Sequence, residues 1–331
     1  MQQQLRKLIQ MIRKLVLYGF VVFIAGFSFA APKEEPKEVY YIIAHGGITN
    51  PFWQRTLKGA EEAGKELGVE VHFQAPEQYD VKQMVDMLNT VIARKPTGIA
   101  STLSIPEMTD EPLRTAAKNG IPVVLLDADD KRPDPIPHIA FVGWNAYGIG
   151  TQSADKIIDE LGKKPKHVLI GIHEAGNIAL EARAQGMVDV LTKRLGASVK
   201  IDKLLTTVDM AKAMSAYASF LASHPDVDLI FATGSASGDP AIKFLEEKNL
   251  QGKITLVTAD LSEQIMGGIE RGTVAFTSDC QQYLWGYLPV VYLHLYHKYG
   301  MRPVSPTFTG PSIIDKSNLE GVKALISEGI R

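Results

Sequence analysis

The stretch VYYIIAHGGITNPFWQRTLKGAEEAGKELG, residues 39–68, decides the fold. Six apolar residues, mostly β-branched or aromatic, run from Val39 to Ala44 and stop just before Gly46 and Gly47. A strand of a parallel sheet, covered on both faces, has this composition. Helical spacing follows: Phe52, Leu57, Ala60, Ala63 and Leu67 share one face, Pro51 opens the segment and Gly68 closes it. Two large aromatics, Phe52 and Trp53, therefore stand where the first strand hands over to the first helix of the folded domain.

The same alternation continues to the end of the chain. Strand-like VEVHFQA, TGIASTL, IPVVLLDA, HIAFVGW, HVLIGIH, VKIDKLLTT, DLIFATG, ITLVTAD and VAFTSD are separated by helix-like segments such as DVKQMVDMLNTVIARK, LEARAQGMVDVLTKRLG and LWGYLPVVYLHLYHKYG. Strands alternating with helices predict an α/β protein of doubly wound parallel sheets, covered by helices on both faces. The length of 331 residues is too great for one compact core and predicts two lobes. The net charge of −2 gives no basic excess for nucleic acid. The single cysteine, Cys280, excludes an internal disulfide framework.

Residues 1–31 differ from the rest. RKLIQMIRK is basic, LVLYGFVVFIAGFSFA is oily, and SFAA supplies small residues at the end. That order is the order of a secretory signal, cut after Ala30 or Ala31. An uncleaved anchor is the competing reading, for which the oily run is somewhat short. No cysteine stands at the junction to carry a lipid. PKEEPKE, residues 32–38, reads as a solvated linker.

Ligands of open parallel sheets bind beyond the carboxyl ends of the strands. Those ends hold Asn50, Phe52 and Trp53; Thr102, between Ser101 and Ser104; Asp127; Trp144 and Asn145; Arg183 at a following helix; Asp260; and Asp279. Carboxylates accept from adjacent hydroxyls, a guanidinium donates in a fixed fork, and aromatic faces cover the C–H faces of a ring. Three acids against one arginine disfavour an anion and suit a neutral polyol. Taken singly, each has a plainer role: Asp or Asn at a strand end often caps a helix, an aromatic is often core, and an arginine is often on the surface.

Enzyme motifs fit less well. HGG at 45–47 has the form of an oxyanion loop, but GSASG at 234–238 has Ala236 where a nucleophilic serine would stand. GIGTQS at 148–153 has Ser153 in place of the third glycine of a dinucleotide fingerprint, so an NAD-dependent enzyme is a weak alternative. His294 and His297 lie on an aromatic helix, and DADDKRPD lacks the glycine and distal glutamate of a calcium loop. No metal or cofactor is expected.

From residue 39 onward the chain resembles the type I periplasmic sugar-binding proteins of ABC importers, the group with ribose-, xylose-, galactose- and inositol-binding members. TNPFWQRTLKGAEEAGKELG, KNGIPVVLLDA, HIAFVGWNAYGIG, EARAQGM, ASHPDVDLIFAT and LVTADLSEQIMGGIERG carry the resemblance. It implies two lobes joined by a three-crossing hinge near Gly143, Asp279 and Gly310. One lobe would hold 39–143 and 280–310, the other 144–279 and 311–331. It implies a ligand site made of Asn50, Phe52, Trp53, Thr102, Asp127, Trp144, Asn145, Arg183, Asp260 and Asp279. The two aromatics after the first strand would wall a sugar slot. It further implies a monomer outside the cytoplasm that closes on a neutral sugar, polyol or cyclitol and delivers it to a membrane permease, without catalysis. Three positions depart from the family pattern. Ala128 stands where ribose binders carry arginine, Gly234 where many members have asparagine, and Asp279 where glutamine or asparagine is common. A receptor for a furanone-type signalling molecule is the alternative on the same fold. A sugar-responsive repressor would carry a helix-turn-helix where this chain has its leader-like segment.

Overall fold

The structure is a computed structural model that describes residues 1–24 and 37–331. It divides into two units, 1–37 and 38–331. The first contains helix α1 (Gln2–Ile24). The expected cleavage point after Ala30 or Ala31, and most of the expected linker, lie outside the described residues. Among the described residues, no helix is long and apolar enough to cross a membrane.

The second unit alternates strand and helix as the sequence predicts. In chain order it runs β1 (Val39–Ile43), α2 (Pro51–Leu67), β2 (Glu70–Gln74), α3 (Val81–Ala93), β3 (Gly98–Thr102), α4 (Pro106–Lys118), β4 (Val123–Asp127) and β5 (Ala140–Trp144). There follow α5 (Ala146–Asp159), β6 (His167–Ile172), α6 (Ile178–Leu195), β7 (Lys200–Leu205), α7 (Met210–Ser223), β8 (Leu229–Ala232), α8 (Ser235–Glu247), β9 (Thr255–Ala259), α9 (Glu263–Arg271) and β10 (Val274–Asp279). The chain ends with α10 (Tyr283–Tyr299), β11 (Thr307–Gly310), β12 (Ser312–Ile314) and α11 (Leu319–Ser327). Local chemistry explains the boundaries. The Asn50 side chain accepts from the Phe52 N–H and caps α2, Pro51 supplies the first helical residue, and Gly68 ends the helix at φ 68°.

Two six-stranded sheets result. The first has the order β11-β5-β4-β3-β1-β2 and the second β12-β10-β9-β8-β6-β7. Neighbouring strands are parallel throughout, except β12, which runs antiparallel to β10. The orders are the same pattern twice. In each sheet the order reverses beside the lobe's first strand, between β1 and β3 and between β6 and β8. Loops leaving such strand pairs splay apart and open a crevice. The chain passes from sheet to sheet three times: after β5, after β10 and at Gly310–Pro311.

The doubling extends to the packing. One apolar cluster includes Tyr40 and Ile42 of the first sheet, Val168 and Ile170 of the second, and both Trp144 and Trp285; the other face of each sheet has its own cluster. In the first lobe α2 crosses α10 with glycines at the contact: a Cβ on Gly286 would lie 1.9 Å from the Thr56 carbonyl oxygen, and one on Gly59 would lie 2.0 Å from that of Tyr283. In the second lobe α6 crosses α5 in the same way, with Gly150 against the Arg183 carbonyl at 2.0 Å and Gly186 against that of Tyr147 at 2.2 Å. The helices touch backbone to backbone, so any side chain there must separate them. Gly286→Ala is expected to lower stability by about 1–3 kcal/mol, the usual cost of overpacking, read as a lower urea midpoint at unchanged slope.

Candidate functional site

The carboxyl ends of both sheets face one cavity of about 720 Å³. Seven of the ten residues singled out in the sequence line it: Asn50, Phe52, Trp53, Asp127, Trp144, Arg183 and Asp260. The other three lie elsewhere. Thr102 is buried behind the wall, sharing a hydrogen bond with His45 Nδ1 at 3.0 Å. Asn145 caps α5, accepting from the Gly148 N–H at 2.9 Å. Asp279 is fully buried at the hinge, where it accepts from the Gln281 N–H and pairs with Arg331 at 2.9 Å. Asn50 has both attributes, since it lines the cavity while capping α2.

Arg183 organises the centre. Its Cζ lies 3.3 Å from the centroid of a Trp144 ring, and one of its nitrogens donates to the Thr233 carbonyl. Its Nε is buried without a protein partner. Trp144 donates in turn from Nε1 to Asp127 at 3.2 Å. A desolvated guanidinium on an indole face gains about 2 kcal/mol. Burial lowers the pKa of this guanidinium, and Asp260 and Asp127 oppose that by raising it.

The two aspartates occupy matching places, one at the end of β4 and one just after β9. Both adopt left-handed backbone, φ 70° at Asp127 and 77° at Asp260, a conformation that aspartate tolerates better than most residues. Asp260 Oδ2 accepts the Ser235 N–H at 2.7 Å, at the start of α8. That helix starts at Ser235, so part of GSASG is its first turn. The positive helix end favours the carboxylate there. Asp260 Oδ1 is buried and unpartnered. Burial raises the Asp127 carboxyl to about 6, with Arg183 and Trp144 pulling the other way, and it raises Asp260 as well.

Aromatic packing forms the wall on the first lobe. Phe52 meets Trp53 at 4.8 Å and Trp285 at 5.5 Å, and Trp285 meets Trp144 at 5.6 Å. Gly46 allows this, because a Cβ there would lie 1.7 Å from Trp53 Nε1. The protein's three tryptophans thus form one cluster at the cavity.

Sequence reasoning missed His45, His173 and Glu174. All three line the cavity directly after β1 and β6, the equivalent first strands of the two sheets. Both strands run straight into a histidine, in IIAH and GIH, and that repetition is the signal that would have found them. Burial lowers His45 to about 4 and His173 to about 3, the latter helped by Arg183 and His45. Burial raises Glu174 to about 8 against the pull of the Asn177 amide. His45 Nε2 and Glu174 Oε2 face each other at 3.9 Å. Burial favours the neutral form of each, so the contact is polar rather than ionic. Asp239, held by the Ser262 hydroxyl, also lines the cavity and is raised by burial to about 6. Among the described residues, no group of three or more His, Cys, Asp or Glu is placed to hold a metal ion.

These shifts give the protein an alkaline sensitivity. A carboxyl whose folded pKa is raised stabilises least when deprotonated, so stability is lost as pH rises through that value. Below about pH 6.5 the depressed histidines oppose this trend, since their unfolded forms take up protons first. Between pH 6.5 and 8 the Glu174 contribution stands largely clear of them. Stability is expected to fall across that window by up to about 1.4 kcal/mol per pH unit and then level. Glu174→Gln is expected to flatten the profile, as measured by urea unfolding at each pH; an equal slope in the variant would refute the assignment.

Residues 41–298 match the periplasmic binding protein domain family. The xylose/arabinose-binding protein of Sulfolobus acidocaldarius is 28% identical over 309 residues, covering 89% of this chain and 75% of that protein. The D-allose-binding periplasmic protein of Escherichia coli is 27% identical over 247 residues, 72% of this chain and 78% of that one. A solved periplasmic sugar-binding protein of an ABC sugar transporter from Legionella pneumophila superposes with a TM-score of 0.76 at 27% identity, covering 83% of this chain and 100% of its own. A carbohydrate transporter from Acidothermus cellulolyticus, solved with myo-inositol, shares the fold with a TM-score of 0.79 at 24% identity, covering 89% of this chain and 100% of its own. The matched region includes every strand end that lines the cavity, and the chain belongs to the periplasmic binding protein domain family.

Proposed function

We propose that this protein captures a neutral sugar, polyol or cyclitol between its two lobes and delivers it to the permease of an ABC importer. The carrying observation is that aromatics from one lobe, an arginine and the two aspartates that act on it electrostatically converge on one cavity from both sheets. Phe52 and Trp53 cover the apolar face of a ring. Asp127 and Asp260 accept from its hydroxyls, and the Arg183 Nε, buried without a protein partner, donates to an oxygen. The curated relatives described above, named for xylose, arabinose and allose binding, support this class of guest.

Capture works by differential contact. Each lobe alone holds half of the donors and acceptors, so a guest that satisfies both halves favours the shut form. The lobes already touch at two further points: the Ser104 carbonyl accepts from the Ile178 N–H at 3.1 Å, and Arg55 of the first lobe donates to the carbonyl of Arg331, which pairs with Asp279. The shut form offers a permease one surface built from both lobes. The basic, oily and small-residue order of the first 31 residues supports export by a cleaved leader, placing capture outside the cytoplasm. The protein acts as a monomer that binds without catalysis.

A panel of D-xylose, L-arabinose, D-allose, D-ribose and myo-inositol tests the reading by thermal unfolding. A guest at a hundredfold excess over its Kd adds about 2.7 kcal/mol, which raises Tm by several degrees. Asp260→Asn is expected to unfold cooperatively but to lose that rise. A wild-type Tm unmoved by every member of the panel contradicts the proposal.

A further inference from the structure

Every lobe has its crevice where the strand order reverses. In the first lobe that point lies between the ends of β1 and β3, and in the second between those of β6 and β8. Asp127 and Asp260 are one strand away, at the end of β4 and just after β9. The residues that stand at the reversal points themselves are His45 after β1, and His173 and Glu174 after β6.

The Glu174 side chain is nine-tenths buried, and the His45 side chain slightly more so. Glu174 receives one hydrogen bond, from Asn177 Nδ2 at 2.7 Å. The remaining neighbours give its charge little support. From the first lobe it meets His45, the Tyr79 hydroxyl and Asp127, and from the second Arg183 and Asp260, with His173 adjacent in the chain. Arg183 already engages Trp144 and the Thr233 carbonyl, and Asp260 and Asp127 both act on its charge. A third carboxylate charge has no cation of its own here. A buried carboxyl in that position keeps its proton and becomes a donor.

We propose that Glu174 and His45 form a second recognition point for the guest, divided between the lobes and completed only when they shut, in which Glu174 acts as an uncharged acid that donates to a ligand oxygen. This rests on the sugar-binding reading and deepens it. Asp127 and Asp260 are acceptors and read hydroxyl hydrogens. Glu174 offers a hydrogen of its own, so it reads an oxygen lone pair, and a guest without oxygen at that edge loses the contact. Thr102, fully buried, holds the His45 ring through Nδ1 and directs Nε2 toward Glu174. That gives Thr102 a positioning role.

Deprotonation of Glu174 removes the donor and sets a carboxylate against the guest's oxygen, so binding is lost on the alkaline side. Burial lifts Glu174 to about 8, and it pushes the Tyr79 phenol well above its usual range, out of the window tested. Calorimetric titration is made with the tightest-bound member of the panel between pH 7 and 9.5. Wild-type affinity is expected to hold to about pH 8 and then fall by about tenfold per pH unit, the slope of a single proton. Glu174→Ala is expected to bind at least tenfold more weakly at pH 7. Glu174→Gln, which keeps an N–H donor, is expected to recover most of that loss and to show no alkaline fall. His45→Ala is expected to weaken binding without removing the fall. A flat wild-type profile, or full affinity in Glu174→Ala, overturns the proposal while leaving the sugar-binding reading in place. A wild type that binds no member of the panel at pH 7 defeats that reading and this inference with it.

Discussion

A guanidinium with almost no water around it is the constraint on which the rest of the structure depends. Arg183 stands over a Trp144 ring and is under the electrostatic influence of both Asp127 and Asp260, two carboxylates contributed by different sheets. None of these charges is tolerable alone at that depth, because an unpaired buried ion costs several kcal/mol. Together they hold one another, and they also hold the lobes in register, since Trp144 ends the last parallel strand before the first crossing. The arrangement leaves deliberate vacancies in hydrogen bonding at Arg183 Nε and Asp260 Oδ1. Most buried polar groups in folded proteins are hydrogen-bonded, so two unpartnered atoms facing one cavity stand out.

The doubled fold explains why such a cluster forms. Both lobes use the same strand order, and both pack their capped helix against a second helix across glycines. Equivalent loops then present equivalent residues: histidine after the first strand, aspartate at the fourth, arginine on the first helix. Arg55 and Arg183 sit five and six residues beyond the caps Asn50 and Asn177. The symmetry is broken where function needs it. Phe52 and Trp53 follow the cap in one lobe, whereas Ala179 and Leu180 follow it in the other. One side of the cavity therefore presents rings, and the matching positions on the other side present smaller aliphatic side chains.

The architecture was legible because strand and helix periods differ and glycine and proline mark most boundaries. Much of the site was legible too, since parallel sheets deliver their functional groups at strand ends, which can be read from the chain. The remainder depends on contacts between residues distant in sequence. Nothing local distinguishes Asn145, which only caps its helix, from Asn50, which caps and also lines the cavity. Asp279 is turned away from the cavity by Arg331, its partner 52 residues later. Glu174 carries no local signal in the chain, because what favours its protonated form is burial by the folded lobes, reinforced by Asp127 and Asp260, the latter 86 residues away. The start of α8 is not legible locally, because glycine and serine in GSASG signal a turn, yet the Asp260 carboxylate anchors those residues as a helix end.

The central claim is that a single guest is held between the lobes by groups from both of them. A crystal structure of the protein grown with the tightest-bound sugar of the panel tests it most directly. The account predicts a ring against Phe52 and Trp53, with hydroxyls on Asp127 and Asp260 and an oxygen within hydrogen-bond distance of Arg183. A sugar bound to one lobe alone, or anywhere outside this cavity, would contradict it.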